Sequence, residues 1–449
     1  MDRQAVEELN ADLAEFTGDV FAYLAYAGQR GYGQHYLRGL MLDGRRKSVE
    51  PMAERLGIPR QNLGHFVAQS TWEYREVMRR VAARADRVLR PSAWLIDDHP
   101  FVRYGHGTAG AIVQHCGERE QHLCQVAVSV HAVSRQGASP LHWRLFLPQS
   151  WAEDRARCAK AGIGPEITHR TKQRIALDLL DDLGQWGLAP PLVVADSDYG
   201  TNVAFRTGLT ARGIRWLLAV TGHTVVLPAT GAPVTAWARR RPSITVDQVS
   251  AEHRYRARRF VYRARTADHR ARSGWFVAIP VHIAGIIERE HVASTADRLL
   301  PLRTLLIQWR RKRGGDVFRS WITDLPADTP LAALVRHATS RWYIETDYRE
   351  MEQALGLGDY EGRTYRGFHH HVALVSAAHL FCLEHRLNPK GEGTTSACTR
   401  SWLFSRSRCS APCGAAPPAT TRLMTSPTLI EDHDQALFQG IDTSAVGSA

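Results

Sequence analysis

The sequence predicts an α/β fold, preceded by a helical region and interrupted by a long β-rich insertion. Three observations predict it. Two short apolar runs, AWLIDD (93–98) and PPLVVADSDYG (190–200), end in acids. Between them stand segments with strand-like alternation, GHGTAGAIVQHC, HLCQVAVSVHAVS and LHWRLFLP. They are followed by one good amphipathic helix, TKQRIALDLLDDLGQWG (171–187). In it Ala176, Leu179, Leu180 and Leu183 recur at i, i+3, i+4 and i+7, and Gly187 ends it. Strands, a crossover helix and more strands backed by helices make an α/β core.

Along the chain, residues 1–90 read as helical and close on the Arg-rich stretch REVMRRVAARADRVLR. The first part of the core spans 91–220 and ends in the strand-like IRWLLAV. From 221 to 320 the chain is basic, β-branched in patches and broken by Pro and Gly, which marks the insertion. Helix resumes over 321–390. Leu331, Leu334, Val335 and Ala338 form the first apolar stripe, and the apolar helix HVALVSAAHLFCLEHRL follows. Residues 391–449 are Ser-, Thr-, Pro-, Gly- and Ala-rich without a period, as expected of an irregular or disordered tail.

Composition narrows the function. The 449 residues suit two or three domains, and a 44% hydrophobic content with 12 Trp can bury a large core. A net charge of +12 favours a polyanionic partner such as nucleic acid. Seven scattered cysteines without a CxxC pair argue against a zinc ribbon and a secreted disulfide framework. No signal-peptide pattern and no apolar run long enough for a membrane span occur, so a cytoplasmic protein is expected.

The acids carry the chemistry. Asp97 and Asp98 close one apolar run, and Asp196 and Asp198 another. Ligands of open α/β sheets bind at the carboxyl ends of strands. Clustered carboxylates repel and need a cation, and all-oxygen ligands favour Mg²⁺ or Mn²⁺. Two such ions serve in-line phosphoryl transfer. An acid after a strand also serves as a turn residue or helix cap. Neighbouring strand residues face opposite sides, so Asp97 and Asp98 cannot both enter one site.

The blocks LIDDHPFVRYGHGTAGAIVQHCG, HLCQVAVSVHA, LHWRLFLPQSWAED, VVADSDYG and above all SRWYIETDYREMEQALGLGDYEGRTYRGFHHHVAL resemble the DDE-superfamily transposases of bacterial insertion sequences, in their cut-and-paste branch. The resemblance covers roughly residues 90–385. It implies a ribonuclease-H-like mixed sheet flanked by helices, with a β-rich insertion and an N-terminal helical DNA-binding domain. It further implies Asp97, Asp196 and Glu345 as ligands of two Mg²⁺ or Mn²⁺ ions, Asp98 and Asp198 being the rivals. The implied activity is metal-dependent phosphodiester hydrolysis and strand transfer at the ends of the chain's own element. The implied partner is double-stranded DNA, bound by a homodimer. Arg341, Glu345 and Glu352 share a helix face, so Arg341 either grips a phosphate or pairs with Glu345. The family's lysine after the catalytic Glu is Glu352 here, and its tyrosine before the arginine is Ala338. Its small polar pair and lysines are His99, Pro100, Val102 and Arg103. These departures keep a second reading open: a catalytically inactive, transposase-derived DNA-binding protein or repressor. An unrelated structure-specific nuclease is a third.

Other features bear on DNA. Residues 48–70 fit a helix-turn-helix, with Ala53 the small residue between the helices, Gly57 in the turn and Leu63 and Phe66 as anchors. Its second helix would present Arg60, Gln61, Asn62 and His65, types that read base edges, although a plain helical hairpin looks the same. In the insertion, Arg254, Arg256, Arg258 and Arg259 interleave with Tyr255, Phe260 and Tyr262, suiting either DNA contact or an exposed charged face. The resemblance further implies that a Trp of the insertion could catch a flipped base, with Trp237, Trp275, Trp309 and Trp321 as candidates. Gly105, Gly107 and Gly110 spell GxGxxG, but a β pattern follows, so a turn is expected. Adjacent His369, His370 and His371 point different ways on a helix and cannot share one ion, so helix-start packing and surface positions are expected.

Overall fold

A computed structural model of the chain describes residues 3–116, 119–229, 243–263, 271–283, 300–310 and 317–387. All of them belong to one compact unit, Met1–Phe404. The helices of eight residues or more are α1 (Arg3–Val20), α2 (Ala27–Met41), α3 (Val49–Leu56), α4 (Arg60–Ala68), α5 (Tyr74–Leu89), α6 (Lys172–Gln185), α7 (Val203–Ala211), α8 (Val246–His253), α9 (Leu331–Ala338), α10 (Trp342–Leu355) and α11 (Tyr365–Leu387). The strands are β1 (Ala93–Val102), β2 (Ile112–Cys116), β3 (Arg119–Val133), β4 (Ala138–Leu145), β5 (Val193–Ala195), β6 (Trp216–Val220), β7 (Val225–Pro228), β8 (Ile244–Thr245), β9 (Arg258–Arg263), β10 (Ala271–Ile283), β11 (Leu302–Trp309) and β12 (Val317–Thr323).

The strands form one mixed sheet. At its heart β4, β3 and β1 are antiparallel neighbours, and β5 and β6 follow parallel to β1. This is the expected ribonuclease-H-like core. Beyond β6 the sheet does not stop. It runs on through β12, β11, β10, β7 and β8, with β9 on the free side of β10. The strands of the basic stretch thus extend the core sheet.

Helices cover the sheet because they carry apolar faces. In α5, Val77, Met78, Val81, Ala82, Ala85 and Leu89 are buried, while Arg75 and Arg84 reach from it to acids of neighbouring helices, Asp182 and Glu384. The last helix, α11, is buried on every side from Gly367 to Leu383 and packs on α2, α4, α5 and β4. Its length reflects that role. No helix among the described residues is long and apolar enough to cross a membrane. Polar groups also tie the layers. Asp182 of α6 receives both guanidinium nitrogens of Arg75 (2.9 and 2.6 Å), Arg144 at 2.6 Å and His142 at 3.3 Å. Burial works against the Asp182 carboxylate, but these donors outweigh it and hold its pKa well below the usual range.

Two local features differ from the sequence expectation. The run 93–98 was expected to end in Asp97 and Asp98, yet β1 continues to Val102 because β3 keeps pairing with it, Asp97 opposite Ser129 and Val102 opposite Cys124. Its parallel neighbour β5 stops at Ala195, opposite Ile96. Within the helical stretch expected over 321–390, Leu331–Ala338 and Trp342–Leu355 are separate helices with a 3₁₀ turn at Thr339–Arg341 between them.

Candidate active site

Asp97 and Asp196 meet because β1 and β5 run side by side and in the same direction. The register pairs Ile96 with Ala195, so the next residue on each strand is an acid. Asp196 also caps the one-turn helix Ser197–Gly200, accepting from the Asp198 amide at 3.1 Å. That turn lies tight on β6. A Cβ at Gly200 would fall 1.8 Å from the Ala219 carbonyl oxygen, so only glycine lets it approach.

Between the two acids stands Arg341. Its Nη2 lies 3.4 Å from Asp97 Oδ1 and 3.4 Å from Asp196 Oδ2. It pairs with these two and not with Glu345, which stands one turn further along the same helical face. Burial raises the Asp97 pKa to about 7; Arg341 opposes this, and the charges of Asp196 and Asp98 add to it. Asp196 is raised for the same reasons, with Asp198 adding. Burial disfavours the Arg341 cation, yet Asp97, Asp196 and Glu345 together raise its pKa. Two carboxylates short of positive charge, with a guanidinium reaching between them, fit a site for a hard divalent cation.

The rival acids stay close enough for their charges to act on the pair. Asp98 is the next residue of β1 and binds Lys172 Nζ at 2.6 Å. The Asp198 side chain makes no ion pair among the described residues.

Several neighbours were not singled out from the sequence. Lys172 is one. Arg319 of β12 is another: burial, followed by the charge of Arg341, lowers its pKa, while Glu345 opposes. Tyr348 of α10 hydrogen-bonds Ser129 at 2.6 Å and sits against His99. His99 Nε2 in turn lies 3.1 Å from Glu352 Oε1. No spacing rule links such residues, since each contact joins distant segments.

The other expected residues are divided between surface and core. Arg60, Gln61 and Asn62 open α4 and are exposed, while Ala53, Leu63 and Phe66 pack inward. Gly57 ends α3 in the left-handed conformation (φ 65°) that glycine adopts freely. Asn62 also donates to the Tyr32 hydroxyl at 2.7 Å. Arg256 and Arg258 are exposed beside β9. Phe260 and Tyr262 instead turn onto Phe276, leaving Tyr255 as the exposed aromatic of that group. Trp309 and Trp321 are core residues, Trp275 is half-buried, and Trp237 lies outside the described residues, as does the 391–449 tail. Gly105, Gly107 and Gly110 lie in the loop from β1 to β2, where no helix begins. His369, His370 and His371 have separate partners, as expected, but none is a surface residue. His369 accepts from the Leu145 amide, His370 meets the Val67 and Trp72 carbonyls, and His371 meets the Tyr36 hydroxyl and the Gly356 carbonyl.

A groove of about 940 Å³ runs from His99 and Glu352 past Arg103, Tyr104 and Arg363 to Arg46. Tyr104 is 98% exposed in it. A smaller cavity of about 300 Å³, lined in part by Arg341 and Arg319, opens at the ends of β5 and β6.

No curated protein matches the chain. A family described as "DDE superfamily endonuclease" matches residues 19–275, more than half of it. The match includes Asp97 and Asp196 and ends before Arg341 and Glu345. A ribonuclease-H-like sheet, two acids brought together on its parallel strands and this match lead to one conclusion: the chain belongs to the DDE superfamily endonucleases.

Proposed function

We propose that the protein is a transposase that cuts DNA at the ends of its own insertion sequence and joins those ends to new DNA. The observation that carries this reading is the Asp97–Arg341–Asp196 cluster at the notch where β5 ends beside β1. In this reading Asp97, Asp196 and Glu345 would hold two Mg²⁺ or Mn²⁺ ions. Bound there, the ions supply charge neutralisation for phosphoryl transfer. Arg341 leaves the two carboxylates and turns to a phosphate oxygen. Asp196, fixed as a helix cap, keeps its carboxylate in place without further ordering. Lys172 holds Asp98 out of the site and so separates the two adjacent acids.

DNA contact is assigned to Arg60, Gln61 and Asn62 on α4, and to Arg256 and Arg258 by β9. Their exposure supports this. The groove lined by His99 and Tyr104, two and seven residues beyond Asp97, would take a DNA strand, with an aromatic face for stacking. Two element ends have to be held at once, so a homodimer on DNA is part of the proposal. The division into an N-terminal DNA-binding region (1–90), a split core (91–220 and 321–390), an insertion (221–320) and a tail (391–449) belongs to it too.

The second reading, an inactive DNA-binding derivative, rests on Glu352, an acid at the edge of the groove. One experiment separates the two. DNA bearing the element's ends is incubated with the protein in Mg²⁺ or Mn²⁺ and in EDTA. Metal-dependent nicking at the ends is expected. Asp97→Ala, Asp196→Ala and Glu345→Ala should each lower it by roughly a thousandfold or more while leaving DNA binding intact. Binding without nicking in either metal would establish the inactive reading. A variant that cuts at the full rate would remove its residue from the site.

A further inference from the structure

A second set of metal-type ligands lies on the opposite side of α10. His379, in the middle of α11, is 2% exposed, and neither of its ring nitrogens has a hydrogen-bond partner. Its Nε2 points between two carboxylates. It lies 3.7 Å from Asp347 Oδ1 and 3.7 Å from Glu350 Oε2, beyond hydrogen-bond reach of either. One donor atom from each of the three residues lies within 4.8 Å of the others.

We propose that Asp347, Glu350 and His379 form a site for a divalent transition-metal ion, with Zn²⁺ the best fit. One imidazole nitrogen and two carboxylate oxygens make a mixed N/O donor set that suits Zn²⁺ rather than Mg²⁺ or Ca²⁺. Ligand atoms about 2.1 Å from a tetrahedral ion stand about 3.4 Å apart. The observed 3.7 Å separations need only a small inward movement to match. The surroundings support the ligands. His131 Nδ1 lies 3.4 Å from Asp347 Oδ2, the oxygen not turned to His379. Arg386 Nη1 lies 2.9 Å from Glu350 Oε2 and offsets part of its charge.

The site is separate from the one formed by Asp97 and Asp196. Glu345 and Asp347 are two residues apart on α10 and so face different sides. An ion bound by Asp347, Glu350 and His379 would clamp α10 to α11. It would therefore position Glu345 without touching DNA. The inference does not depend on the proposed function.

The test uses the full chain carrying Asp97→Ala and Asp196→Ala, so that the first acid pair holds no ion. After EDTA treatment the protein is loaded with Zn²⁺ or Co²⁺, desalted and assayed for metal and melting temperature. One retained equivalent per chain, visible Co²⁺ absorption of a low-coordinate N/O site, and a melting rise of roughly 2–4 °C are expected. His379→Ala and Asp347→Asn in the same background should each weaken retention tenfold or more. Should either variant fail to fold, stoichiometry and Co²⁺ absorption of the parent chain decide. Retention of less than about a tenth of an equivalent would overturn the proposal. So would full retention in both variants. The cluster would then be a buried histidine packed between two carboxylates.

Discussion

Arg341 is a counter-ion before it is anything else. Without it, Asp97 and Asp196 would face each other across a partly buried gap, both already resisting ionisation. Arg341→Gln should therefore destabilise the metal-free protein by about 1–3 kcal/mol. Mg²⁺ or Mn²⁺ should recover most of that loss in thermal melting. A loss that metal leaves unchanged would mean that Arg341 matters through packing. Glu352 poses a related question. It and His99 are both departures from the transposase pattern, and they touch at 3.1 Å. The acid at the groove edge is thus partnered by the other unusual residue. Glu352→Lys should add about one unit to the salt dependence of DNA binding, measured as the slope of log affinity against log salt. An unchanged slope would place position 352 away from the DNA. The acids were legible because each follows an apolar run on its own strand. Arg319, Lys172 and the His99–Glu352 contact were not, because each joins segments that only the folded sheet brings together.

At the scale of elements, alternation and helical period located most strands and helices of the core. Sequence periodicity did not show where β1 ends, because β1's far half is held by a partner, β3, whose register is a long-range matter. Nor did it show that β12 joins β6 and makes the basic stretch part of the same sheet. The 3₁₀ turn at Thr339–Arg341 was equally hidden, since no Gly or Pro marks it in the sequence. Between layers, Asp182 is the most exposed to failure. It pairs with Arg75, shares Arg144 with Asp178, and accepts from buried His142. Asp182→Ala should cost about 3–5 kcal/mol, because it strands partly buried cations rather than removing one contact. Urea unfolding would check this, and a cost below about 1 kcal/mol would show that solvent already satisfies those arginines.

For the whole molecule, buried histidines set the response to acid. Burial lowers the pKa of His131 and His369 to about 3, and of His142 and His371 to about 4. In the unfolded chain each titrates near 6.5. Below that pH the unfolded chain takes up protons that the folded one refuses. Stability should therefore fall as pH drops from about 6.5 towards 4, by about 1.4 kcal/mol per unit for each histidine. Asp97 works in the opposite direction. Its raised pKa favours the folded state as pH falls from about 7 towards 4, so Asp97→Asn should make the acid loss steeper. Melting temperatures between pH 7.5 and 5, taken in EDTA, test both signs. A flat profile would mean that water reaches these rings.

The connectivity of the sheet has a consequence for synthesis. Asp97 and Asp196 leave the ribosome long before Arg341, and β6 must wait for β12 across the whole basic stretch. A nascent chain that has made only the first part of the core carries two facing acids with neither their arginine nor α10. In the proposed reading, competence to cut DNA therefore arrives last, after α10 and α11 have been made and have docked. A chain cut short by premature termination would hold Asp97 and Asp196 in an unfinished sheet without Arg341 or Glu345, and in that reading would not nick DNA.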